Sequence, residues 1–129
     1  MTDINYDYYY ENIEVTKVTD GDTFHVKATR DIGFNVSATA KVVIRLSKID
    51  TPEIYRPRNE AELKHGQEAK QFCEKVFAEA TQIDMHSFKS GRYGRWIAKI
   101  YIHSEEGGEP TCLEEMLKAN GFEKMESYE

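Results

Sequence analysis

Cysteine is scarce in this sequence, and its scarcity excludes two common classes of small protein. The chain has two cysteines, Cys73 and Cys112, in 129 residues. Two cysteines so far apart are too few for a disulfide framework or a zinc site. The four histidines are also scattered, without the spacing of metal ligands. We interpret them as surface or packing residues: His25, His65, His86 and His103.

A hydrophobic run long enough to cross a membrane is also lacking, since a span needs about 20 apolar residues. The acidic N-terminus does not have the basic and then apolar pattern of a signal peptide. As given, the sequence predicts a cytoplasmic protein with no membrane partner, or a secreted one if a leader has been removed. We expect one domain over 1–129, a core at about 12–126 between acidic ends, and a monomer.

Excess positive charge, which is common in nucleic-acid binders, is absent from the chain as a whole, because the formal net charge is -6. The charges are unevenly distributed, however. Residues 17–103 carry 15 Lys and Arg against 11 Asp and Glu, whereas 1–16 and 104–129 are acidic. A basic middle between acidic ends is compatible with an anionic ligand but does not require one.

Alternating apolar residues between turn signals predict a mainly β protein of the α+β class. An i, i+3, i+4 apolar pattern predicts a helix at about 66–80 after a loop at 54–65. A capping box formed by Thr111 and Glu114 predicts a second helix, which Gly121 ends. This order fits a five-stranded barrel of the OB-fold type with two to three flanking helices. The first predicted strand comprises Tyr8–Tyr10 and 12–18. The other four are 23–29, 36–49, 83–88 and 96–102, and turns are predicted at 19–23 and 31–34.

The stretch from Ile44 to Glu53 brings a cation and two carboxylates close together in sequence. The alternation of apolar residues up to Leu46 places Arg45 near the end of a strand. Pro52 makes the residues around it a turn, so that Asp50 and Glu53 lie just beyond the strand. A phosphate together with a divalent metal is one reason for such groups to converge. A surface ion pair at a strand edge is the alternative.

Oxygen ligands for a hard cation are available in two of these segments. Ca²⁺ takes carboxylate and carbonyl oxygens, and Asp22, Asp50 and the backbone carbonyl of Thr51 are candidates. Asp20 would add negative charge nearby without being a direct ligand. Asp20-Gly21-Asp22 is also a strong tight-turn signal, and a solvated hairpin turn is the alternative reading of this pair.

Two arginines on different segments are candidates to hold a phosphodiester. Arg45 ends a strand, and Arg95 follows a basic turn with two glycines. A guanidinium pairs with two phosphate oxygens at once and can stabilise the charge that builds on them. Glu53 is placed to accept a proton from, or to orient, an attacking water. The alternatives are a surface arginine and an exposed loop carboxylate.

The order of these motifs resembles the staphylococcal nuclease (thermonuclease) family. The resemblance runs from about Val15 to Met125, which is most of the chain. Five segments carry it: Asp20-Gly21-Asp22-Thr23, Arg45-Leu46 leading to Asp50-Thr51-Pro52-Glu53, His65-Gly66-Gln67-Glu68-Ala69, Tyr93-Gly94-Arg95, and Leu117 to Gly121.

The resemblance implies an OB-fold barrel and Ca²⁺-dependent hydrolysis of DNA and RNA, with cleavage of the P–O5′ bond and 3′-phosphate products. It implies metal ligands at Asp22, Asp50 and the Thr51 carbonyl, with Asp20 nearby. It also implies that Arg45 and Arg95 bind phosphate and that Glu53 activates or positions water. Arg92, where the family has a lysine, and Tyr93 would contact the substrate.

The sequence departs from the family in three places. The hairpin between Thr23 and Arg45 is longer than in the best-known member, we expect the family's last helix to be absent, and the C-terminal segment is acidic rather than basic. The family's base-stacking tyrosine matches Ser127 or Tyr128 only with a shift of one residue, so it stays unassigned. We expect this segment to be frayed. None of the departures removes a predicted catalytic position.

Two functions of different classes remain open. The first is a metal-dependent phosphodiesterase, an endonuclease that acts on single-stranded or frayed DNA or RNA. The second is an OB-type module without catalytic activity that binds nucleic acid or protein. In that reading exposed aromatic residues would be stacking platforms. The candidates are Tyr8, Tyr9, Tyr10, Tyr55 and Tyr93.

Overall fold

The computed structural model describes residues 7–90, 94–104 and 108–128. Within these residues it contains seven strands and two helices. The strands are β1 (Tyr8–Tyr10), β2 (Glu14–Asp20), β3 (Thr23–Gly33), β4 (Val36–Leu46), β5 (Gln82–Ser90), β6 (Trp96–His103) and β7 (Thr111–Cys112). The helices are α1 (Glu60–Glu79), between β4 and β5, and α2 (Leu113–Ala119), after β7.

All seven strands belong to one sheet, in the order β1-β5-β6-β4-β3-β2, with β7 beside β6. The β4–β6 pair is parallel and the other pairs are antiparallel. The mainly β class is therefore confirmed, and the architecture is consistent with an OB-like fold. Closure into a barrel is not seen, because β1 and β2 at the two ends of this order do not pair within the described residues. The described strands number seven rather than the predicted five, because two short segments form strands of their own.

The core lies between one face of this curved sheet and the two helices. Phe24 of β3, Ile44 and Leu46 of β4 and Ile100 of β6 are fully buried, as the alternation of side chains along a strand predicts. Helix α1 packs across this layer, and the ring of its Phe77 meets Phe24 edge-on with centroids 5.0 Å apart. Burying these side chains removes apolar surface from water and supplies the main favourable term in folding.

Helix α1 begins six residues before the predicted start. Asn59 is its N-cap and accepts a hydrogen bond from the backbone N–H of Glu62 at 3.0 Å. Residues 60–65 are therefore helical rather than part of a loop, and Gly66 lies inside the helix. The missed signal is an asparagine followed three residues later by a glutamate, which is typical of a helix start.

The first predicted strand is two strands in the structure. Tyr8–Tyr10 pairs with β5, whereas Glu14–Asp20 pairs with β3 at the other end of the sheet. Asn12 separates them with a positive φ of 55°, which no regular strand allows. The prediction of one continuous strand was wrong because both segments have strand-like composition and only their pairing separates them.

Two strand boundaries also differ from the prediction. The β3–β4 turn lies at Phe34–Asn35 rather than at 31–34. Strand β4 ends at Leu46, since Ser47 to Thr51 leave the sheet before the proline. The predicted hairpin itself, from Thr23 to the region of Arg45, is confirmed by the pairing of β3 with β4, which is regular from Thr23 to Asp31 and shifts between Asp31 and Gly33.

Helix α2 begins without the predicted capping box. Thr111 lies in β7, the N-cap is Cys112, and no side chain of the described residues caps the helix. Glu114 instead accepts hydrogen bonds from the backbone N–H and hydroxyl of Ser47 at 3.1 and 2.9 Å. The predicted end is right, because Gly121 follows the C-cap residue Asn120 with a φ of 78°.

The segment after α2 was expected to fray, but it packs on α1. Arg58 donates to the carbonyls of Met125 and Glu126 at 2.6 and 2.7 Å. Tyr128 Oη lies 2.7 Å from Nδ1 of His65.

Both cysteines are free. No helix among the described residues is both long and apolar enough to cross a membrane.

Candidate functional site

Two chain segments from different parts of the sequence meet at one end of the sheet. Asp20-Gly21-Asp22-Thr23 connects β2 to β3, and antiparallel pairing places Thr23 opposite Arg45 of β4. The backbone N–H of Leu46 then donates to the Asp22 carbonyl at 2.9 Å. The β3–β4 register therefore fixes the aspartate turn beside the end of the strand that carries Arg45.

Asp22 is the buried centre of this meeting point, with only 7% of its surface exposed. Its Oδ2 accepts the backbone N–H of Thr51 at 3.1 Å, and its Oδ1 accepts the hydroxyl of Thr23 at 3.0 Å. The first bond ties the aspartate turn to the loop that contains Asp50 and Glu53. Asp22 thus sets the position of that loop relative to β4.

Arg45 lies between two carboxylates. Its Nη2 is 3.5 Å from Oδ2 of Asp22 and donates a hydrogen bond to Oδ1 of Asp50. Partial burial alone would lower the pKa of Arg45, but Asp22 and Asp50 outweigh that effect and raise it. The guanidinium is therefore a permanent cation at the same point as the predicted metal ligands Asp22 and Asp50.

Asp20 contributes negative charge close to this point. Burial of Asp20, followed by its hydrogen bond and repulsion with Asp22, raises the pKa of its carboxyl from 3.8 to about 7. The backbone N–H of Asp22 also donates to Oδ1 of Asp20 at 3.2 Å. Two carboxyl groups held this close favour a nearby cation, because each opposes ionisation of the other.

The residues present fit a hard cation such as Ca²⁺. Every predicted ligand atom is an oxygen, as Ca²⁺ requires. The Thr51 hydroxyl is buried and has no hydrogen-bond partner among the described residues. The loop therefore contains a buried oxygen that no described group uses. No three His, Cys, Asp or Glu side chains in the described ranges form a ready metal cluster. A cation here would depend on two carboxylates and backbone oxygen.

Glu53 lies in the same loop and is partly exposed. Among the described residues Lys124 is the cation within 4 Å of it, with its Nζ 3.8 Å from Oε1 of Glu53. The loop rests directly on helix α1 at Gly66, where a Cβ would lie 2.7 Å from the Pro52 carbonyl oxygen and 3.1 Å from that of Glu53. The absence of a side chain at Gly66 therefore allows the Glu53 backbone to approach the helix.

The segment after α2 forms one wall of an open cleft at this site. The backbone N–H of Lys124 donates to the Asp50 carbonyl at 2.7 Å. The cleft has a volume of about 470 Å³, with Arg45 and Asp50 on one side and 123–126 on the other. Its charged lining is mixed, so it can receive an anion beside Arg45 while acidic residues face it from the C-terminal segment.

Arg95 lies immediately before β6, and Trp96 pairs with Ile44 in the parallel β4–β6 register. This register places Arg95 beside the part of β4 that leads to Arg45. Gly94 precedes it with a φ of 74°, a conformation that favours glycine. The predicted substrate residues Arg92 and Tyr93 fall outside the described residues.

Three charged residues near the site were not singled out from the sequence. Glu62 is fully buried in α1 and pairs with Arg58 at 3.3 Å, while Lys124 lies 3.9 Å from the same carboxylate. Lys124 thus links Glu53 to the buried Glu62. The sequence did contain one indication of Lys124, because it is one of only two lysine or arginine residues in the acidic stretch 104–129.

Three of the four described tyrosines that were candidates for base stacking are buried or already bonded to other residues of the fold. Tyr10 is buried, Tyr8 carries the Arg30 guanidinium 4.0 Å from its ring centroid, and Tyr9 donates to Asp84 at 2.8 Å. Tyr55 is 66% exposed. Tyr93 falls outside the described residues.

The sequence profile of the family described as "Staphylococcal nuclease homologue" matches residues 43–128. The chain belongs to this family. The resemblance predicted from the motifs is therefore confirmed for the part of the chain that contains Arg45, the Asp50–Glu53 loop and Arg95. The family match begins after Asp22, which β3–β4 pairing nevertheless brings to the same place.

A relative of this staphylococcal nuclease homologue is an uncharacterized protein of Methanocaldococcus jannaschii. The two are 32% identical over an alignment of 117 residues. The alignment covers 77% of this chain and 51% of the relative, so the chain spans about half the length of the curated relative that it matches. Membership of the family supports a relation to nucleases and to nucleic-acid binding.

Proposed function

We propose that this protein is a Ca²⁺-dependent nuclease that hydrolyses phosphodiester bonds of DNA or RNA at the P–O5′ position. The observation that carries the proposal is the meeting of Arg45 with Asp22 and Asp50 at one point. A further hydrogen bond from Thr51 to Asp22 attaches the Glu53 loop to that point. An ion pair at a strand edge would not need a buried aspartate from a second hairpin.

Asp22, Asp50 and the Thr51 carbonyl would hold the calcium ion, with Asp20 adding negative charge nearby. When bound, Ca²⁺ supplies a Lewis acid and a template for the phosphate. Binding of a cation and a phosphate together is compatible with Arg45, because its planar guanidinium has five N–H donors. One or two of them can serve the carboxylates while the others face phosphate oxygens.

In the proposed reaction a water oxygen forms a bond to phosphorus and the P–O5′ bond breaks. Glu53 accepts a proton from that water, and the departing O5′ takes a proton from solvent. The products are a 3′-phosphate and a 5′-hydroxyl. Arg45 and Arg95 would bind the equatorial oxygens, on which negative charge increases in the transition state. Arg92 and Tyr93 are proposed to contact the substrate.

Lys124 is suited to orient Glu53. It approaches the carboxylate from the C-terminal segment while its backbone bonds to Asp50. The Glu53 carboxylate would then be held by the C-terminal segment as well as by its own loop. This assignment is also a proposal.

The first test is degradation of heat-denatured DNA by purified protein, with Ca²⁺ and then with a chelator. An Arg45→Ala/Glu53→Ala double variant controls for contaminating nucleases. Calcium-dependent degradation that the double variant lacks would support the activity and its site together. Folded wild-type protein that binds Ca²⁺ but leaves the DNA intact would favour the binding-module function instead.

Glu53→Gln tests the proposed role of the carboxylate. The amide cannot accept the proton from water, so turnover should fall by about 100-fold or more. Binding of single-stranded DNA should change little, because the substitution leaves both arginines in place. Glu60→Gln, an exposed carboxylate in the first turn of α1, is the matched control. Wild-type turnover in Glu53→Gln would show that Glu53 is not the base.

A further inference from the structure

The β3–β4 hairpin carries an exposed apolar tip that the proposed active site does not use. Residues 31–39 are all exposed, and Phe34 at the turn is 99% exposed. Ile32 and Val36 beside it are 56% and 50% exposed. Three of the six large exposed hydrophobic side chains among the described residues thus lie within five positions. Isolated exposed apolar residues are normal, but such a cluster marks an interaction site.

The backbone at this tip is unfavourable for the residue it carries. Gly33, Phe34 and Asn35 have φ values of 89°, 57° and 61°. Asparagine and glycine adopt this left-handed conformation readily, whereas a phenylalanine there is unusual. Phe34 makes no compensating packing contact with the described part of the chain, because its side chain is 99% exposed there. Folding alone therefore does not explain an aromatic ring at this position.

The stem of the hairpin presents cations on the same face as Arg45. The side chains of Thr29 and Thr39 project from one face of the hairpin, because their hydroxyls lie 2.8 Å apart. The register has no irregularity between Thr23 and Asp31, so the pairs Lys27–Lys41 and Thr23–Arg45 project from it too. Like charges directly opposite each other destabilise a sheet.

These two lysines form no ion pair with any of the residues that the structure describes. No carboxylate of the described residues lies within salt-bridge distance of Lys27 or Lys41, although Glu14 pairs with Lys27 in the β2–β3 register. The face also carries Asp31, whose carboxylate accepts the backbone N–H of Gly33 at 2.9 Å. An external anion would neutralise the paired lysines between Asp31 at one end and Arg45 at the other.

We propose that the β3–β4 hairpin is a binding arm for single-stranded nucleic acid. Lys27 and Lys41 contact phosphates, and Phe34 stacks on an unpaired base. This inference rests on the proposed function in one respect: the nucleic acid bound by the arm is taken to continue to the phosphate that Arg45 would hold. Stacking tolerates any base, because every base has an aromatic face.

The dimensions define which substrates can use the arm. At about 3.3 Å per residue, Lys41 lies about 13 Å and the turn about 30 Å along β4 from Arg45. A dinucleotide held at Arg45 cannot reach Phe34. A strand of about ten nucleotides can, at roughly 3.4 Å of rise per nucleotide.

A single-stranded polyanion fits this surface better than the other occupants of an apolar tip. A protein partner, a second copy of the chain or a lipid surface would explain the apolar side chains. None of them explains why the cations of the stem lie on the same face as Arg45. Charge complementarity and continuity with that residue therefore favour nucleic acid.

The test measures binding of a fluorescent 20-nucleotide single strand and of a dinucleotide, by anisotropy, with a chelator present to prevent cleavage. Phe34→Leu keeps an apolar side chain and loses the ring, whereas Phe34→Trp keeps a ring. We expect Phe34→Leu to weaken 20-mer binding roughly 5- to 100-fold and to leave dinucleotide binding unchanged. Phe34→Trp should bind as wild type does, with its indole fluorescence quenched by the stacked base.

A charge comparison completes the design. Lys41→Ala should weaken 20-mer binding and reduce its salt dependence, since one phosphate contact is lost. Lys75→Ala, at an exposed position of α1 away from the arm, should do neither. Equal 20-mer affinity of Phe34→Leu and wild type would overturn the proposal. So would sedimentation that shows a wild-type dimer converted to a monomer by Phe34→Leu, because the tip would then bind a second copy.

The outcomes separate the arm from the nuclease function. Calcium-dependent cleavage with unchanged binding by Phe34→Leu would reject the arm and keep the nuclease. Ring-dependent binding of the 20-mer by a protein that cleaves nothing would support the arm and reject the nuclease.

Discussion

Arg45 illustrates how one side chain can serve both the free protein and the proposed reaction. Its guanidinium bonds to Asp50 and lies close to the buried Asp22, so it offsets negative charge that the fold places there. The same planar group matches the geometry of phosphate oxygens. We therefore expect catalysis to require the planar shape of the guanidinium, whereas folding should require only its positive charge.

Arg45→Lys tests this separation. The ammonium keeps the positive charge between the carboxylates but loses the fork, so we expect turnover on DNA to fall about 100-fold or more. Stability, measured by urea denaturation, should change by less than about 1 kcal/mol because the charge remains. Arg56→Lys, in the exposed loop before α1, is the control. Turnover within a few-fold of wild type would show that charge alone suffices.

Helix α1 acts as a platform for the loop that carries Glu53. It begins at the Asn59 cap and lies against the loop at Gly66, where there is no room for a side chain. The C-terminal segment bonds to the same helix through His65 and to the loop before it through Arg58. The helix therefore contacts both the loop that carries Glu53 and the C-terminal segment.

Gly66→Ala should distort this platform. Alanine is the better helix former by about 1 kcal/mol. Its methyl group would nevertheless lie 2.7 Å from the Pro52 carbonyl oxygen, which is backbone and cannot simply rotate away. We expect a net loss of about 1–3 kcal/mol in the free energy of unfolding, together with reduced nuclease turnover.

The neighbouring substitution Gln67→Ala is the control for the helix effect, since Gln67 is exposed in the same turn. It should leave stability and turnover nearly unchanged. If Gly66→Ala instead raised the free energy of unfolding, the close approach of the loop to the helix would not be a real constraint.

At the scale of the whole molecule, one buried carboxylate joins the N-terminal segment to β5 and β6. Asp84 of β5 accepts the hydroxyl of Tyr9 at 2.8 Å and the backbone N–H of Asn12 at 2.9 Å. Gln82 donates to it at 2.8 Å, and Nε2 of His103 lies 2.7 Å from it. Burial would raise the pKa of Asp84, but these hydrogen bonds hold it below 3.8.

The pH dependence of stability follows from that direction. Because the pKa of Asp84 is lower in the folded protein, its ionised form stabilises the fold above the unfolded pKa. This contribution is lost as pH falls through the folded pKa. Asp84→Asn should lower the free energy of unfolding by about 1.5–3 kcal/mol at pH 7. The deficit should shrink as the pH falls below 3.8 and through the lower pKa of the folded protein, where wild-type Asp84 also becomes neutral.

Urea denaturation at several pH values measures this difference. Glu79→Gln, an exposed carboxylate at the end of α1, should show no such trend. A deficit for Asp84→Asn that stays constant over the whole acidic range in which the protein remains folded would mean that Asp84 acts through shape rather than through its charge.

Local patterns determined much of the fold and the composition of the candidate site. The alternation in β3 and β4, the apolar stripe of α1 and the Asp-Gly turn each depend on a few neighbouring residues. They could therefore be predicted without the fold. The family resemblance was visible for the same reason, because its motifs are short. The chemistry of Arg45, Asp50 and Glu53 was apparent from ten consecutive residues, and its role in catalysis stays a prediction.

Only the tertiary structure decided which distant groups meet. Tyr8–Tyr10 pairs with β5 rather than extending β2, and Glu114 bonds to Ser47 rather than capping α2. The bond from Thr51 to Asp22 joins residues 29 positions apart in the sequence, and it likewise requires the β3–β4 register. Such contacts depend on the pairing of whole strands and on the packing of α1. A short sequence pattern can therefore supply the functional groups, but the register of the sheet brings them to one point.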